Sequence, residues 1–479
     1  MALKDINVRA AVAEVEELLE KEKGISASLK AAIKVILVVV KLLSERFKLN
    51  SSNSSLPPAL DPNRKKQAKN NENGKKPGGQ PGHVGTRLKK VKNPDEVKVI
   101  SVDRKTLPPG KYKESGYESR QVIELKISRH VIEYRAEILI DKAGKRFVAP
   151  FPKEVGSDVS YGKSVKAYSV NLSQYQLLPY ARIEDHFRNQ MKIPLSAGTI
   201  CNFNREAYKK LKELKFDEIA KANLIASSVL HADETGMEEN GKRTWIHTAS
   251  TSKWSYLAPH DKRGGEAMKE INILPQFKGT LSHDHWKPYY IFDCLHSLCN
   301  AHHCRELKWA FEEDNQQWAG ELRELLLEMN QATEENGGAV SKEIADLYRK
   351  KYREILSRGD TQCPRFIPVH KKRGKAKQSK SRNLLERLRD FEDDTLRFLE
   401  DPKVPFTNNQ SENDLRMTKV QQKISGCFRS REGAETFCLV RSYLITSRKH
   451  AMGASEALTI LFEGKLPDFM KLPETSNST

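Results

Sequence analysis

The chain has 479 residues, which is long enough for about two to four domains, and its 82 Lys and Arg exceed its 63 Asp and Glu. The formal charge of +19 favours a polyanionic partner, with nucleic acid ahead of an anionic membrane surface. The longest apolar run, residues 35–40, is far shorter than the roughly 20 residues of a membrane-spanning helix, and seven scattered cysteines argue against a disulfide framework, so we expect a soluble cytoplasmic protein.

Residues 1–50 are predicted to be helical, with two helices that break near Gly24. The second helix carries an apolar stripe at three- and four-residue spacing, which fits a short coiled coil between two copies of the chain. One amphipathic helix packed on its own domain gives the same pattern. The stripe consists of Leu29, Ile33, Ile36, Val40, Leu43 and Phe47.

Residues 51–94 differ in composition from the rest of the chain. They are rich in Ser, Pro and Gly, with ten Lys or Arg and one acid between Arg64 and Lys92. We expect a flexible basic linker here, because too few apolar residues remain to offset the entropy of ordering. Residues 95–155 then alternate in polarity at 121–126 and 132–140, with a turn over 141–145, which predicts a small β module.

Residues 156–222 are predicted to be helical. A helix over 181–190, a turn over Ile193-Pro194 and a helix that begins after the N-cap residue Ser196 follow one another. Two short helices around such a turn fit a helix-turn-helix DNA reader, and ordinary helical packing produces the same pattern.

Two aspartates stand at the ends of predicted strands. The mostly apolar stretch 225–235 sends His231 and Asp233 to one side and is predicted to stop at Thr235-Gly236. A hairpin of strands over 243–249 and 254–258 follows, and the strand over 279–284 ends on Asp284. The order predicts a mixed α/β sheet with two carboxylates at neighbouring strand ends, although a single Asp after a strand is commonly a turn residue.

A third carboxylate lies on the predicted helix over 407–423. Glu412 shares one face of this helix with Arg416, Lys419 and Lys423. One interpretation is a salt bridge from Glu412 to Arg416, worth about 0.3 kcal/mol on an exposed helix. The other is a helix laid along a phosphate backbone with its carboxylate at a metal ion, since carboxylates are the oxygen ligands that Mg²⁺ prefers.

Several motifs occur in a fixed order. HADETG, SHDHWKPY, CNAHHCREL and NNQSENDLRMTKVQQKISGCFRS follow SSNSSLPP, KKPGGQPGH, YQLLPYARI and PLSAGTI. With these motifs the chain resembles, over most of residues 45–450, the insertion-sequence-66 family of transposases, which belongs to the DDE group with a ribonuclease-H-like core. The resemblance implies an α/β fold in which a mixed sheet is flanked by helices and carries a helical insertion. It places the catalytic core at 223–450, the insertion at about 305–400 and a C-terminal tail at 451–479.

The resemblance also implies a site and a reaction. Asp233, Asp284 and Glu412 would be the catalytic carboxylates and the ligands of two Mg²⁺ ions, or of Mn²⁺ in their place. The reaction would be nicking at transposon ends followed by strand transfer to target DNA, with element-encoded accessory proteins and a homo-oligomer as expected partners. His231 and His283 are candidates for orienting the carboxylates, and simple packing of each histidine is an equal alternative.

The family's Cys-x-x-His signature corresponds to Cys299 and His302. We expect a structural role in seating a helix over 299–310 rather than a zinc site. The basic run from Lys371 to Arg382 is a second candidate DNA contact, with an untethered loop as the alternative. The predicted DNA-binding residues are Arg416, Lys419, Lys423, Arg429, Arg431, Lys371, Lys372 and Arg373.

The chain departs from the family in one region. Relatives carry two Cys-x-x-Cys pairs of a zinc-binding module, whereas this sequence has no cysteine before Cys201. We therefore expect residues 95–155 to be a degenerate module without structural zinc. This loss keeps two alternatives open: a catalytically decayed DNA-binding or regulatory protein that retains the fold, and a metal-dependent nuclease without strand transfer.

Overall fold

The computed structural model describes residues 8–22, 24–48, 50, 52–54, 61, 88–152, 155–367 and 376–470. Within them, seven strands form two sheets: β1 Ile138–Ile140, β2 Arg146–Val148, β3 Val229–Glu239, β4 Lys242–Ser250, β5 Ser255–His260, β6 Thr280–His283 and β7 Leu295–Leu298. The same residues contain fifteen α-helices: α1 Val8–Lys21, α2 Ala27–Lys48, α3 Lys163–Val170, α4 Tyr180–His186, α5 Ala197–Glu213, α6 Phe216–Ile225, α7 Gly265–Ile271, α8 Asn300–Asp314, α9 Gln317–Glu335, α10 Lys342–Gln362, α11 Lys380–Asp390, α12 Glu392–Leu396, α13 Asn409–Ser425, α14 Arg431–Lys449 and α15 Ala454–Phe462.

The larger sheet is mixed and has the strand order β5-β4-β3-β6-β7. Strands β3, β4 and β5 pair antiparallel, and β6 and β7 continue the sheet in parallel on the other side of β3. The predicted hairpin and the strand before Asp284 are confirmed. Strand β7 was not predicted, because four residues carry too little periodicity to recognise.

The predicted end of β3 is wrong. The strand does not stop at Thr235-Gly236 but continues to Glu239, which pairs with Lys242 at the tip of the β3–β4 hairpin. Gly236 allows a close approach instead of a turn, since a Cβ there would lie 2.5 Å from a guanidinium nitrogen of Arg243. Asp233 consequently lies inside the strand, half-buried, two residues beyond the last residue of β3 that pairs with β6.

One hydrophobic core joins the sheet to helices that precede it in the sequence and to helices that follow it. Phe216 of α6, Leu281 of β6, Tyr443 of α14 and Leu458 of α15 belong to the same buried cluster. Helices α3 to α6 bury their apolar faces in the core of the sheet, and the predicted domain boundary after residue 222 stays a prediction. The predicted tail at 451–479 is wrong in its described part, since α15 is an integral core helix.

The region between the second and third acids is helical, as predicted. Helices α8, α9, α10 and α11 enclose a separate buried cluster centred on Trp318, Leu326 and Tyr352. The insertion thus has its own core, and the chain returns from it to the sheet just before α13.

Helices α4 and α5 occupy the region in which a helix-turn-helix was considered. α4 passes into a π-helical turn over Phe187–Met191, and α5 begins after Ser196, whose hydroxyl accepts the Thr199 N–H at 3.2 Å. Ile200 and Phe203 of α5 are buried in the main core. Recognition of DNA by these helices stays a prediction.

The N-terminal segment is a helical hairpin, with the predicted break near Gly24. Val12 and Leu19 of α1 pack on Leu37 of α2, and Lys41 pairs with Glu16 at 2.7 Å. None of the described helices has the long apolar sequence that crossing a bilayer requires. Most of the predicted basic linker lies outside the described residues.

The predicted β module is largely wrong. Strands β1 and β2 form a hairpin around the predicted turn at 141–145, but the described residues 121–126 contain no strand. All six residues of β1 and β2 are exposed. A two-stranded hairpin without a covering layer is only marginally stable on its own.

Candidate active site

Asp233 and Asp284 lie side by side at one edge of the parallel part of the sheet. The register pairs Val229 with Thr280 and His231 with Ser282. If this register is continued by two residues, Asp233 lies opposite Asp284, which directly follows β6. Because side chains alternate along a strand, both aspartates then point to the same face of the sheet. The prediction that these two acids stand on neighbouring strands agrees with this register.

Backbone amides orient one oxygen of each aspartate. The Glu234 N–H donates to Asp233 Oδ1 at 2.9 Å, and the Trp286 N–H donates to Asp284 Oδ1 at 3.1 Å. Burial raises the pKa of Asp233 well above its usual range, and the charges of Glu234, Asp284 and Glu412 raise it further. Carboxyl groups are therefore crowded at this end of the strands, and Asp233 holds its proton more tightly than a free carboxyl group does.

Glu412 reaches the same place from α13. Leu415, one turn farther along this helix, packs with Met237 and Ile246 and holds α13 on β3 and β4. Glu412 Oε1 lies 3.9 Å from His302 Nδ1. Among the described residues no ion pair joins Glu412 to Arg416, so the structure does not contain the salt bridge considered from the sequence.

His302 faces the acids from the first turn of α8. Burial and Arg305 lower its pKa, while Glu412 and Asp284 oppose that shift. Cys299 directly precedes α8, and its Sγ accepts the backbone N–H of Asn408 at 3.2 Å. The Cys-x-x-His signature thus lies at the junction of α8 with the segment that enters α13.

Asn408 connects three parts of the site and was not singled out from the sequence. Its side chain hydrogen-bonds His231 Nδ1 at 2.8 Å and donates to the Ala232 carbonyl at 2.9 Å. Its backbone N–H binds Cys299, and its position directly precedes the helix that carries Glu412. The helix predicted over 407–423 includes Asn408, whereas the observed helix begins one residue after it, and the partner of Asn408, 177 residues away, is not readable from local sequence.

His231 and His283 do not contact the carboxylates through hydrogen bonds. His231 bonds to Asn408, so it supports the site indirectly. His283 is fully buried and bonds to His296 at 3.1 Å. For His283 the structure supports the packing alternative.

An ion pair with a buried carboxylate lies on the opposite face of β3 and was also missed. Glu234, whose side chain is 1% exposed, pairs with Arg263 at 2.7 Å and accepts the Tyr289 hydroxyl at 2.5 Å. The Arg263 guanidinium lies between the rings of Trp245 and Trp286, at 4.9 and 4.1 Å from their centroids. This stack fixes the segment after Asp284 against β3.

The predicted DNA-binding residues separate into two groups. Arg416, Lys423 and Arg429 are exposed. Lys419 and Arg431 have partners within the protein: Lys419, although also exposed, donates to the Gly236 carbonyl, and Arg431 pairs with Asp261 and Glu239.

Only part of the second predicted DNA contact, the basic run from Lys371 to Arg382, lies within the described residues. Lys371, Lys372 and Arg373 lie outside the described residues. Arg382, the last cation of that run, is buried and pairs with Asp360 at 2.7 Å and Glu386 at 3.0 Å. Its charge is satisfied inside the helical insertion, so Arg382 is not part of a DNA-binding surface.

The donor set suits Mg²⁺. Asp233, Asp284 and Glu412 offer carboxylate oxygens, the ligands that this hard cation prefers. Glu412 Oε1 is buried and has no hydrogen-bond partner among the described residues. An unpartnered buried polar atom costs about 1–3 kcal/mol, which coordination of a cation would offset.

Two family models match the chain. Residues 158–436 match the model described as the transposase IS66 family, and residues 2–89 match a family of unknown function, DUF6444. No curated protein matches the chain. The transposase match spans more than half of the 479 residues and includes all three carboxylates of the site. The chain therefore belongs to the IS66 transposase family.

Proposed function

We propose that this protein is a DNA transposase that nicks transposon ends in a metal-dependent reaction and joins the freed 3′-hydroxyls to target DNA. Membership of the family implies an enzyme that acts on DNA. The observation that carries the finer proposal is the convergence of Asp233, Asp284 and Glu412 from β3, β6 and α13.

The strand arrangement supports a ribonuclease-H-like core. In the larger sheet, the antiparallel strands β3, β4 and β5 come first in the sequence. Strands β6 and β7 then extend the sheet in parallel on the free side of β3. In this arrangement β3 is the central strand, and its Asp233 lies beside the end of the parallel strand β6. The two aspartates thus arise from strand pairing, and only the third carboxylate needs a helix to deliver it.

The protein's own part in the reaction is to hold and orient the three carboxylates. Two Mg²⁺ ions bound by Asp233, Asp284 and Glu412 would neutralise charge that develops on the phosphodiester and lower the pKa of the attacking hydroxyl. The amides of Glu234 and Trp286 fix one oxygen of each aspartate. Arg263, clamped by Glu234 and two tryptophans, keeps the Asp284 loop from moving away from β3. Such positioning is the main contribution of a protein to phosphoryl transfer.

DNA would follow the exposed cations of α13 and of the segment after it. Arg416 and Lys423 are exposed on α13, the helix that carries Glu412, and Arg429 is exposed in the segment after it. Their charges would neutralise backbone phosphates and release counterions. Lys419 and Arg431 contribute by holding the segment in place, not by direct contact.

The N-terminal hairpin supports a homo-oligomer. Among the residues of α1 and α2 whose side chains the structure describes, Val12, Leu19 and Leu37 are buried in the hairpin, while Leu29, Ile36 and Leu43 of α2 are about half exposed. These three lie seven residues apart on one stripe, as a coiled-coil seam requires. Sedimentation of the full chain and of a variant lacking residues 1–50 tests this proposal, and an unchanged number of subunits after the deletion would refute it.

The central test uses purified protein, Mg²⁺ and labelled DNA that carries the element's own ends. We expect the wild type to cleave and join, and Asp284→Ala to do neither. Asp293→Ala is the matched control, because Asp293 is an exposed acid that pairs with Lys278. Equal activity of wild type and Asp284→Ala would refute the assignment. Cleavage without joining would favour the nuclease, and DNA binding without cleavage would favour the decayed regulator.

A further inference from the structure

The Cys299-x-x-His302 pair has no part in the proposed phosphoryl transfer, yet it borders Glu412. One ligand atom from each of these three residues lies within 4.8 Å of the other two. His302 Nδ1 and Glu412 Oε1 are both buried and lack a hydrogen-bond partner within the described part of the chain. Two unpartnered polar atoms that face each other at 3.9 Å leave room for an atom that binds both.

In place of the purely structural role expected from the sequence, we propose that Cys299, His302 and Glu412 form a second metal site, which takes a borderline-soft divalent ion of the Zn²⁺ class and competes with the Mg²⁺ site for Glu412. The existence of the site depends only on these three side chains. Its effect on activity rests on the role proposed above for Glu412.

The geometry is close to that of a tetrahedral site. Bonds of about 2.0–2.3 Å from zinc to nitrogen, oxygen and sulfur place the ligand atoms of one ion roughly 3.3–3.8 Å apart. The observed separations, up to 4.8 Å, need a contraction of about 1 Å, which side-chain rotation provides. Cys299 and His302 are three residues apart at the start of α8 and therefore lie on the same side of it.

The donor types select the ion. Thiolate and imidazole favour Zn²⁺ over Mg²⁺, which prefers oxygen ligands. His302 Nδ1 is buried and has no hydrogen-bond partner among the described residues, so it is available as a ligand. A thiol binds such an ion as the thiolate, so the incoming ion must displace the proton of Cys299. One metal–sulfur bond forms, one S–H bond breaks, and one proton passes to the solvent.

The two metal sites compete for Glu412. An ion bound to Cys299 and His302 holds this carboxylate on the α8 side, away from Asp233 and Asp284. A borderline-soft divalent ion would then inhibit Mg²⁺-dependent cleavage, and a chelator that removes it would restore activity. The site would act as an inhibitory switch built around the third catalytic carboxylate.

The test is a Co²⁺ titration of the full chain without Mg²⁺ or DNA, since Co²⁺ reports thiolate ligation and tetrahedral geometry by its absorption. We expect one equivalent to produce a sulfur-to-cobalt charge-transfer band that Zn²⁺ abolishes. Cys299→Ser and His302→Gln should each lose this band. Cys304→Ser is the matched control, since Cys304 lies on the next turn of α8 and is not part of the cluster. Asp233→Asn should retain the band.

Three outcomes would overturn the inference: no charge-transfer band in the wild type, a band that survives in both Cys299→Ser and His302→Gln, or a band lost in Asp233→Asn. The last would place the ion among the catalytic aspartates. The spectrum requires no DNA and no turnover. An inactive protein that shows the band supports this site while the transposase proposal fails, and an active protein without the band does the opposite.

Discussion

Asn408 and His231 are joined by a hydrogen bond of 2.8 Å between Oδ1 and Nδ1, although 177 residues separate them in the chain. The same Asn408 side chain donates to the Ala232 carbonyl. His231 and Ala232 directly precede Asp233, and Asn408 directly precedes the helix that carries Glu412. This one amide therefore ties the strand that carries the first carboxylate to the start of the helix that carries the third.

Asn408→Ala should reduce cleavage and lower the free energy of unfolding. The substitution leaves the Ala232 carbonyl and a ring nitrogen of His231 unpaired in a buried place, at a cost of about 1–3 kcal/mol for each group. We also expect cleavage to require a higher Mg²⁺ concentration, because Glu412 is no longer held in register with Asp233. Measuring cleavage against Mg²⁺ concentration separates this effect from a simple loss of folded protein. Asn409→Ala, at an exposed neighbour, should match the wild type, and an unchanged Mg²⁺ requirement in Asn408→Ala would contradict the positioning role.

Neutralising the exposed cations near α13 should weaken DNA binding uniformly across sequences. Lys423→Gln and Arg429→Gln should each reduce the slope of log affinity against log salt by about one, since each removes one phosphate contact. Arg431→Gln should leave the slope unchanged, because Arg431 pairs with Asp261 and Glu239. Titrations of labelled DNA at several salt concentrations measure the slopes. If Arg431→Gln changed the slope as much as Lys423→Gln does, the division into exposed and engaged cations would be wrong.

Local sequence patterns sufficed for the features that depend on a few neighbouring residues. Alternation of polar and apolar residues placed Asp233 and Asp284 on adjacent strands, and the spacing of charges predicted a helix around Glu412. The roles of Asn408 and Arg263 were not predicted from the sequence, because they depend on partners 177 and 29 residues away. The β module failed for a related reason: alternating residues become strands only when another layer covers them, and residues 121–126 are exposed.

A buried ion pair holds the other side of α13. Lys449 Nζ and Asp414 Oδ2 are 2.8 Å apart, with side chains 11% and 8% exposed, and Ser250 and Ser255 donate to the same carboxylate oxygen at 2.5 Å. Lys449→Met should lower the free energy of unfolding by about 3–5 kcal/mol, because it leaves a buried carboxylate without its cation. The double variant Lys449→Met/Asp414→Asn should lose less than the sum of the single variants. Urea unfolding of all four proteins measures this coupling, and additive losses would show that the pair contributes no specific interaction.

The raised pKa of Asp233 makes a prediction about pH. Burial is the main cause of the shift, followed by Glu234 and Asp284. The folded protein thus holds this proton more tightly than the unfolded chain does. The resulting stabilisation is fully present below the unfolded pKa of about 3.9 and is lost as the pH rises through the folded pKa.

Without metal, the melting temperature of the wild type should therefore fall relative to that of Asp233→Asn as the pH rises through this window. Mg²⁺ binds only the ionised carboxylate, so the increase in melting temperature that Mg²⁺ causes should grow over the same window and be much smaller in Asp233→Asn. Thermal unfolding from acidic to neutral pH, with and without Mg²⁺, measures both effects. Asp293→Asn is the control, because a hydrogen bond from Lys278 lowers the pKa of Asp293 and shifts its window the other way. Parallel curves for wild type and Asp233→Asn, at all pH values and in both buffers, would mean that Asp233 neither holds a proton in the metal-free protein nor exchanges it for Mg²⁺.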